Sequence, residues 1–453
     1  MLIQNQEQML IQHNHPLQTQ RSEKTSIKQA VFSFPSSCPK YYGLSLAIFM
    51  LNYKYFLSRI QRHYKGQMAE WLCRGLQILV CRFDSDSGLH FNMIETLVLT
   101  DFRNHTSCRI KTHGRGNVII TGPNGAGKTA ILEALSLLSG DRGMRGVQMV
   151  DIARFGGNGG FSIFATLNDD SAVSIEFNPG DTNRRGRIDG DAASLSEMSA
   201  RLPMVWITPR EDRLFVDSAA DRRAFFDRLV SGFDSTHSGR TARFAKLLSE
   251  RAVALKLGQD MRWIDALDDQ IAATATAIAA ARVQYAGELN YFLENAAVSV
   301  SGMLEQMLID GHSAGDTERA YREYLGSARE IVADKMIVDG VHKSDFGVFN
   351  KTLNLPAQLT STGQQKTILL ELILAHAKLL HARTNRHPII LLDEAVAHLD
   401  NDARRKLFEK LGETQAQVWA TGIDADVFDN VPNAVFVSCA NGNVSNILEP
   451  GQE

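Results

Sequence analysis

The stretch "NVIITGPNGAGKTAILEALSLLSG", residues 117–140, decides which kind of fold this chain can adopt. It opens with a short apolar, β-branched run that is typical of a buried strand. The residues "GPNGAGKT", Gly122 to Thr129, fit the spacing Gly-x-x-x-x-Gly-Lys-Thr, and an apolar segment with helical periodicity follows. Strand, glycine-rich turn and helix in this order predict a P-loop in an α/β fold, and therefore a site for ATP or GTP.

Each residue type in this loop suits the phosphates of a nucleotide. Glycines let backbone N–H groups turn inward around phosphate oxygens, and the following helix directs its positive end at them. We expect Lys128 to reach the β and γ phosphates and the Thr129 hydroxyl to ligate Mg²⁺. The predicted ATP-binding residues are Gly122, Pro123, Asn124, Gly125, Ala126, Gly127, Lys128 and Thr129.

A second motif, "PIILLDEAVAHLD" at residues 388–400, is an apolar run that ends in two acids. The run predicts a buried strand, and the carboxyl end of a parallel strand is where ligand-binding groups are exposed. We expect Asp393 to hold Mg²⁺ and Glu394 to act as the general base on the attacking water. Apolar strands followed by Asp-Glu are common, so this prediction depends on the P-loop upstream.

A third motif, "LTSTGQQKT" at residues 359–367, contains small polar residues but no P-loop frame. Ser361 is a plausible N-cap for the apolar helix that follows, and a helix start favours anions. One interpretation is a simple capped helix. The other is a signature loop (Ser361, Gly363 and Gln364) that contacts a nucleotide held by a second copy of the chain. We favour the second interpretation, because a nucleotide that is already bound by a P-loop does not need a second phosphate-facing helix from the same chain. This interpretation predicts an ATP-dependent homodimer.

The segment between these motifs predicts two further structures. Apolar alternation in "FSIFATL", "AVSIEF" and "MVWITP", within residues 161–209, predicts an antiparallel sheet beside the P-loop. From about residue 218 to 308, apolar residues recur every three or four positions, which predicts packed amphipathic helices rather than a long coiled coil. The predicted domains are a first ATPase lobe (93–217), a helical arm (218–345) and a second lobe (346–453) with the signature loop and the acidic strand.

Composition restricts the class of protein. The chain has 453 residues, of which 44% are hydrophobic and 22% charged, as in ordinary globular proteins. No apolar run approaches the roughly 20 residues of a membrane span, so we expect no membrane association. Five cysteines without metal-like spacing favour a reducing cytoplasm. The formal net charge of −3 gives no support to nucleic-acid binding.

Residues 1–92 do not share the patterns of the rest of the chain. They lack sustained periodicity, and their ten Lys/Arg against five Asp/Glu make them basic. One interpretation is a disordered or targeting leader. Another is that the segment is non-native, because codons for "KGQMAEWLCRGLQILVCRFDSDSGLHF" (65–91) can form the stems and loops of a transfer-RNA gene. We favour the second interpretation, in which Met93 is the true start.

The motifs together resemble a known family. A P-loop, a Ser-x-Gly-Gln loop and Leu-Leu-Asp-Glu in this order are similar to the ABC-type ATPases of chromosome maintenance and repair. More narrowly, the chain from Met93 onward resembles the RecF family. The supporting segments are "LTDFRNH" (99–105), "DSAADRRAFFDRLV" (217–230), "GVHKSDF" (340–346), "STGQQKT" (361–367) and "QVWATGIDADVF" (417–428).

This resemblance implies both a fold and a function. The expected fold is a two-lobed ABC-type ATPase head with an inserted short α-helical arm. The expected function requires ATP and Mg²⁺: binding of single-stranded or gapped DNA in replication, recombinational repair and SOS induction. A head-to-head dimer and other recombination-mediator proteins would assist recombinase loading. ATP hydrolysis is expected to be weak.

Three positions depart from the pattern of the family. Arg210 is an extra residue in the segment "ITPRED", Ala397-His398 replaces a serine and an acid, and Thr421 replaces a histidine after the last core strand.

The alternative function is that of a nucleotide-binding subunit in another ABC-type ATPase. A transporter subunit would lack the helical insert, a rod-type protein would need far more heptads, and a related nuclease would add a metal-dependent domain.

Overall fold

The computed structural model describes residues 93–140, 143–329, 338–396, 401–429 and 431–447, without the side chains of 401–403 and 446–447. The predicted extension (1–92) and the departure at Ala397-His398 lie outside the described residues. The strands are β1 Ile94–Phe102, β2 His105–Lys111, β3 Asn117–Thr121, β4 Phe161–Leu167, β5 Ala172–Phe177, β6 Arg185–Ile188, β7 Asp191–Ala193, β8 Met204–Ile207, β9 Ala296–Ser301, β10 Asp345–Asn350, β11 Leu355–Pro356, β12 Ile389–Leu392, β13 Val418–Gly422, β14 Ala434–Ala440 and β15 Asn443–Ile447. The helices are α1 Lys128–Leu138, α2 Leu195–Arg201, α3 Ala219–Phe233, α4 His237–Lys256, α5 Met261–Phe292, α6 Met303–Ile309, α7 Ala314–Ser327, α8 Thr362–Thr384 and α9 Asn401–Glu413.

Continuous apolar runs form the central sheet, whose strand order is β15-β14-β3-β13-β12-β8. Its strands are parallel except β15, which pairs antiparallel with β14. The strands β3, β12 and β13 are buried at every position. A parallel sheet covered on both faces requires such runs. Because β3, β13 and β12 are parallel neighbours, their carboxyl ends lie on the same side of the sheet. The P-loop follows β3 and the acidic pair follows β12, with β13 between them.

Alternate residues of this sheet face two different cores. Val118 and Ile120 pack on the face that also holds α1. Ile119 and Ile390 pack on the opposite face, together with α8. This alternation follows from the two-residue period of a strand. The helix after the P-loop and the helix after Ser361 thus cover opposite faces of one sheet.

The second sheet is antiparallel, with the strand order β2-β1-β4-β5-β6-β7. Burial alternates along β4 and β5, as the sequence predicted, and their buried residues join the core around α1. The prediction was wrong for Met204–Ile207, which forms β8 at the edge of the parallel sheet beside β12. All four of its residues are buried, so the segment does not have the one-sided alternation of an antiparallel strand.

The segment after the second sheet is mainly helical, as predicted, and α5 is its longest helix at 32 residues. Residues of α4, α5, α6 and α7 share a separate apolar core. The prediction was wrong for Ala296–Ser301, because these residues form β9 rather than part of a helix. This strand pairs with β10 in a small sheet of order β11-β10-β9.

Two segments that supported the family resemblance meet where α3 contacts β10. Arg222 Nη2 donates to Asp345 Oδ2 at 2.8 Å, and Arg223 Nη1 donates to the Ser344 carbonyl at 2.7 Å. The hydrogen bond from Arg222 holds the pKa of the Asp345 carboxyl below its ordinary value. These contacts fix the start of α3 to the small sheet.

The division into two lobes and an arm stays a prediction. The strands of the parallel sheet come from both predicted lobes: β3 and β8 precede the helical segment, and β12 to β15 follow it. None of the helices in the described part of the chain is both long and apolar enough to cross a membrane.

Candidate functional site

The P-loop connects the carboxyl end of β3, an inner strand of the parallel sheet, to the start of α1. Gly127 is the N-cap of α1, with a left-handed φ of 112°, and a Cβ there would lie 2.5 Å from His105 Nε2. Only glycine meets both conditions without strain. None of the described side chains caps the first turn of α1. The N–H groups of this turn are therefore available to a ligand, at the positive end of the helix.

Side chains from other segments of the chain contact the carbonyl oxygens of this loop. Asn104 Nδ2 and Cys439 Sγ both donate to the Ala126 carbonyl, at 3.0 and 3.2 Å. The fully buried imidazole of His105 lies 3.1 Å from the Gly127 carbonyl and 2.8 Å from a carbonyl in the β14–β15 turn. Because these side chains contact carbonyls of the loop, its N–H groups remain for a ligand, as a phosphate site requires.

The environment of Lys128 fits a polyphosphate. The loop borders a cleft of about 540 Å³, within the general range of ligand pockets. Lys128 is 5% exposed, and its Nζ donates to the carbonyls of Gly122 at 2.6 Å and Pro123 at 3.0 Å. Charge-assisted bonds to phosphate oxygens are stronger than bonds to neutral carbonyls. The buried Lys128 ammonium, beside free backbone N–H groups, is thus suited to binding a nucleoside triphosphate.

Thr129 and Asp393, the predicted Mg²⁺ ligands, contact each other directly. Thr129 Oγ1 donates to Asp393 Oδ1 at 3.0 Å. Burial raises the pKa of the Asp393 carboxyl above its ordinary value, although the hydroxyls of Thr421 and Thr129 lower it in part; the charge of Glu394 raises it further. Mg²⁺ prefers oxygen ligands and usually shares them with substrate phosphates and water. Among the described residues no three His, Cys, Asp or Glu side chains form a metal cluster.

Thr421 contacts both residues of the acidic pair, Asp393 and Glu394. Its hydroxyl donates to Asp393 Oδ1 at 2.8 Å and accepts from the Glu394 N–H at 2.9 Å. Sequence reasoning noted Thr421 only as a departure from the family pattern. The parallel pairing of β13 with β12 brings it to the site. The residue that replaces the expected histidine therefore contacts the carboxylate of Asp393 and the backbone of Glu394.

Glu394 has an unusual backbone conformation for its residue type. Its φ is 52°, in the left-handed region that residues other than glycine rarely adopt. Such strained positions cluster at functional sites. The side chain lines the cleft together with the P-loop residues. This location suits a base acting on water at the nucleotide, and the catalytic role stays a prediction.

The signature loop lies elsewhere. Ser361 caps α8 in a capping box: its hydroxyl accepts from the Gln364 N–H, and the Gln364 side chain accepts from the Ser361 N–H. The predicted N-cap is confirmed. Ser361, Gly363 and Gln364 are all exposed and do not line the cleft. The structure does not bring them to the P-loop of their own chain, so their role in trans stays a prediction.

Arg210 also lies apart from the cleft. Its side chain is 77% exposed and lies 3.7 Å from Asp221, at the start of α3. The neighbouring Glu211 closes a capping box with Thr208 and pairs with Arg228 at 3.0 Å. The inserted arginine therefore extends into solvent while its neighbour stabilises the turn.

Several lining residues were not selected from the sequence: Arg103, Arg145, Asp151 and Phe155. Arg103 Nη2 donates to the buried Glu133 at 2.5 Å, and its Nη1 donates to the Asp151 carbonyl at 2.7 Å. Arg103 belongs to a segment that supported the resemblance, which was the available signal. The others lie between predicted elements, where no spacing rule applies.

Comparison with known proteins agrees with this geometry. The family model described as the RecF/RecN/SMC N terminal domain matches residues 93–446. A "DNA replication and repair protein RecF" from Mesorhizobium japonicum is 38% identical over 370 residues, covering 78% of this chain and 97% of that protein. The protein of the same name from Brucella suis is 37% identical over 78% of this chain and 96% of its own length.

Solved structures show the same fold. The chain superposes on the recombination mediator protein RecF bound to ATP, from the RecFOR pathway, with a TM-score of 0.68 at 20% identity. The alignment covers 79% of this chain and 100% of that one. The predicted ABC-type ATPase head with helices and sheets is therefore confirmed. With a family model over most of its length and relatives well above 30% identity, the chain belongs to the RecF family of DNA replication and repair proteins.

Proposed function

We propose that this chain binds ATP at the cleft and uses it to control binding to DNA during replication and recombinational repair. The observation that carries the proposal is the cleft itself, where an uncapped helix start, the buried Lys128 and the Thr129–Asp393 pair converge. Lys128 would bind the β and γ phosphates, and backbone N–H groups from Gly122 to Thr129 would bind the rest.

Hydrolysis, if coupled to this binding, would depend on the acidic pair. Mg²⁺ bound with the nucleotide would neutralise phosphate charge, with Thr129 and Asp393 as its protein ligands. Glu394 would accept a proton from the attacking water, and Thr421 would hold both acids in place through its hydroxyl. We expect the ATPase to be weak.

The homodimer is the second part of the proposal. Ser361 and Gly363 are exposed at the start of α8, whose buried residues pack on the face of the sheet opposite α1, and they do not line the cleft of their own chain. In a two-fold dimer each signature loop would contact the γ-phosphate held by the partner chain, which closes both sites at once. The γ-phosphate would then favour the closed state, as a ligand-driven shift requires.

DNA is the partner that the relatives indicate, since their name assigns them to DNA replication and repair. We propose single-stranded or gapped DNA as the substrate, with recombinase loading, SOS induction and other recombination mediators as the context. The net charge of −3 does not by itself favour DNA. We place this activity in the cytoplasm, where bacterial DNA lies.

A DNA-binding titration tests this proposal most directly. Gapped, duplex and single-stranded DNA would be titrated with and without ATP at two salt concentrations, because phosphate contacts make affinity salt-dependent. The Lys128→Ala protein is the matched control. We expect ATP to tighten binding to gapped DNA in the parent and not in the variant. Binding that ignores ATP on every DNA would contradict the proposal.

The alternative is a nucleotide-binding subunit of a transporter or a rod-type protein. The longest helix in the described residues has 32 residues, far short of a rod, and a helical segment separates the P-loop from the acidic strand. Co-purification of the chain with membrane transport subunits would favour the transporter alternative.

A further inference from the structure

Part of the cleft lining remains unused by the phosphate chemistry. Besides the P-loop and Glu394, the residues Arg103, Asp151, Ala153 and Phe155 line the cleft. Phe155 is the aromatic residue among the described side chains that line the cleft. Its exposed fraction is 100%, more than for any other large apolar side chain in the described part of the chain. A full phenyl ring therefore projects into solvent beside a phosphate site.

The position of this ring is set by its neighbours. The Arg154 N–H donates to the Asp101 carbonyl at 2.8 Å, and Arg154 Nε donates to Asp101 Oδ1 at 2.6 Å. Ala153 forms an isolated antiparallel bridge with Phe102 of β1. The residues immediately before Phe155 are therefore tied to the antiparallel sheet. The ring is exposed because of where this anchored backbone places it.

Exposure of the ring has a cost. Burying a Phe side chain stabilises a protein relative to leaving it in water. A large apolar side chain that forgoes this gain on the rim of a polar cleft is suited to a ligand with an apolar face. The bases of nucleotides have such faces, and aromatic rings stack on them.

We propose that Phe155 stacks on the nucleobase of the bound nucleotide and so provides the base-binding part of the site. This inference rests on the proposed binding of ATP at the P-loop and extends it to the other end of the ligand. With the triphosphate on the P-loop, the base would lie against lining residues outside that loop, among which Phe155 supplies the large apolar surface. Stacking uses the face of the base, so ATP and GTP both qualify.

The test compares a ligand that has a base with one that lacks it. Equilibrium titrations of the full chain would use Mg·ATP and Mg·tripolyphosphate with the parent, Phe155→Ala and Phe155→Tyr. We expect Phe155→Ala to weaken ATP binding about ten-fold, the scale of one lost base–aromatic stack, and to leave tripolyphosphate binding unchanged. Phe155→Tyr keeps the ring and should keep parental ATP affinity. Phe164→Ala removes a 41% exposed ring on β4, outside the cleft, and is the matched control.

A spectroscopic measurement gives an independent readout. In Phe155→Trp, ATP should quench the added tryptophan fluorescence through stacking, and tripolyphosphate should not. The four native tryptophans are accounted for by the same titration of the parent protein. Quenching of equal size with both ligands would overturn the inference.

The remaining outcomes also separate this inference from the proposed function. Equal losses of ATP and tripolyphosphate affinity in Phe155→Ala would show that the ring only supports the loop. Parental ATP affinity with weakened DNA binding would assign the ring to DNA instead. Both results overturn the stacking inference while leaving the P-loop site intact. A parent protein that binds neither ligand would overturn the nucleotide site and, with it, this inference.

Discussion

Two helices of this molecule begin after small polar loops, and they differ in whether a side chain caps the first turn. At α1 the N-cap is a left-handed glycine, none of the described side chains caps the turn, and a buried lysine follows. At α8 a capping box between Ser361 and Gln364 provides partners for the N–H groups of these two residues, and the loop is exposed. Free N–H groups need an external partner. The first helix start is therefore built for a ligand, and the second is stable without one.

Because of this difference, the cleft at α1 and the loop at α8 have to be tested by different measurements. The cleft at α1 holds its ligand groups within one chain, so binding of nucleotide can be tested on a monomer. The loop at α8 can act on a nucleotide only when another chain supplies it. An exposed, capped helix start is compatible with both interpretations, and only measurements of assembly can decide between them.

Lys128→Ala should have the largest effect on this comparison, because it removes the cation at the uncapped helix start. We expect ATP affinity to fall by at least about 10²-fold, since hydrogen bonds between charged groups contribute roughly 1.5–3 kcal/mol each. Equilibrium ATP binding measures the effect. Lys246→Ala removes an exposed lysine of α4 and should bind ATP as the parent does. Parental affinity in Lys128→Ala would show that the loop is not a phosphate site.

Glu394→Gln should separate binding from hydrolysis at the same cleft. We expect hydrolysis to slow about 10²-fold or more, the typical scale of a lost general base, while ATP binding persists and dimer accumulates. Steady-state phosphate release and sedimentation measure the two effects. Glu409→Gln, an exposed position on α9, is the control. If Glu394→Gln hydrolyses ATP at the parental rate, another group is the base.

Ser361→Arg tests the second helix start. We expect it to block ATP-dependent dimerisation while leaving ATP affinity of the monomer nearly intact, because a bulky cation replaces the small capping hydroxyl. Losing the cap also costs about 1 kcal/mol of stability. Ser313→Arg is matched for this loss, since Ser313 caps α7 in the helical segment. Sedimentation with ATP, ADP and no nucleotide decides the point.

Two results would leave only a capped helix at α8. One is dimerisation of Ser361→Arg equal to that of Ser313→Arg. The other is a Glu394→Gln protein that stays monomeric with ATP at concentrations that saturate its cleft.

Thr421→Val should have a smaller effect. It removes the hydroxyl that bonds to Asp393 and to the Glu394 N–H. We expect the Mg²⁺ concentration for half-maximal ATP binding to rise about five-fold, on the scale of one net hydrogen bond. Thr276→Val is the control, because the Thr276 hydroxyl is buried in α5 and has no hydrogen-bond partner among the described residues. An unchanged Mg²⁺ requirement would mean that Thr421 does not position the acids.

Removal of residues 1–92 should have no effect on either helix start. Both sites and the sheets that carry them lie from Met93 onward. We expect a protein that begins at Met93 to fold and to bind ATP with parental affinity, as measured by thermal unfolding and ATP titration. Loss of solubility or of ATP binding would show that the segment contributes to the head.

Local motifs could be predicted because their chemistry is contiguous in sequence. The P-loop, Asp393 at the end of β12, and the Ser361 cap each depend on residues within one turn or one strand end. Period-two alternation likewise predicted β4 and β5, where one face is buried. These elements needed no knowledge of what packs against them.

Tertiary structure decided the rest. Met204–Ile207 is buried on both faces, so its pattern could not say which sheet it joins. Thr421 reaches Asp393 because β13 lies between β3 and β12, an order that no local pattern contains. Asn104 and Cys439 both donate to the Ala126 carbonyl, although 313 positions separate Cys439 from Ala126. Side chains brought together by strand order leave no signal in sequence spacing, and for that reason the groups that support the phosphate loop became visible only in the fold.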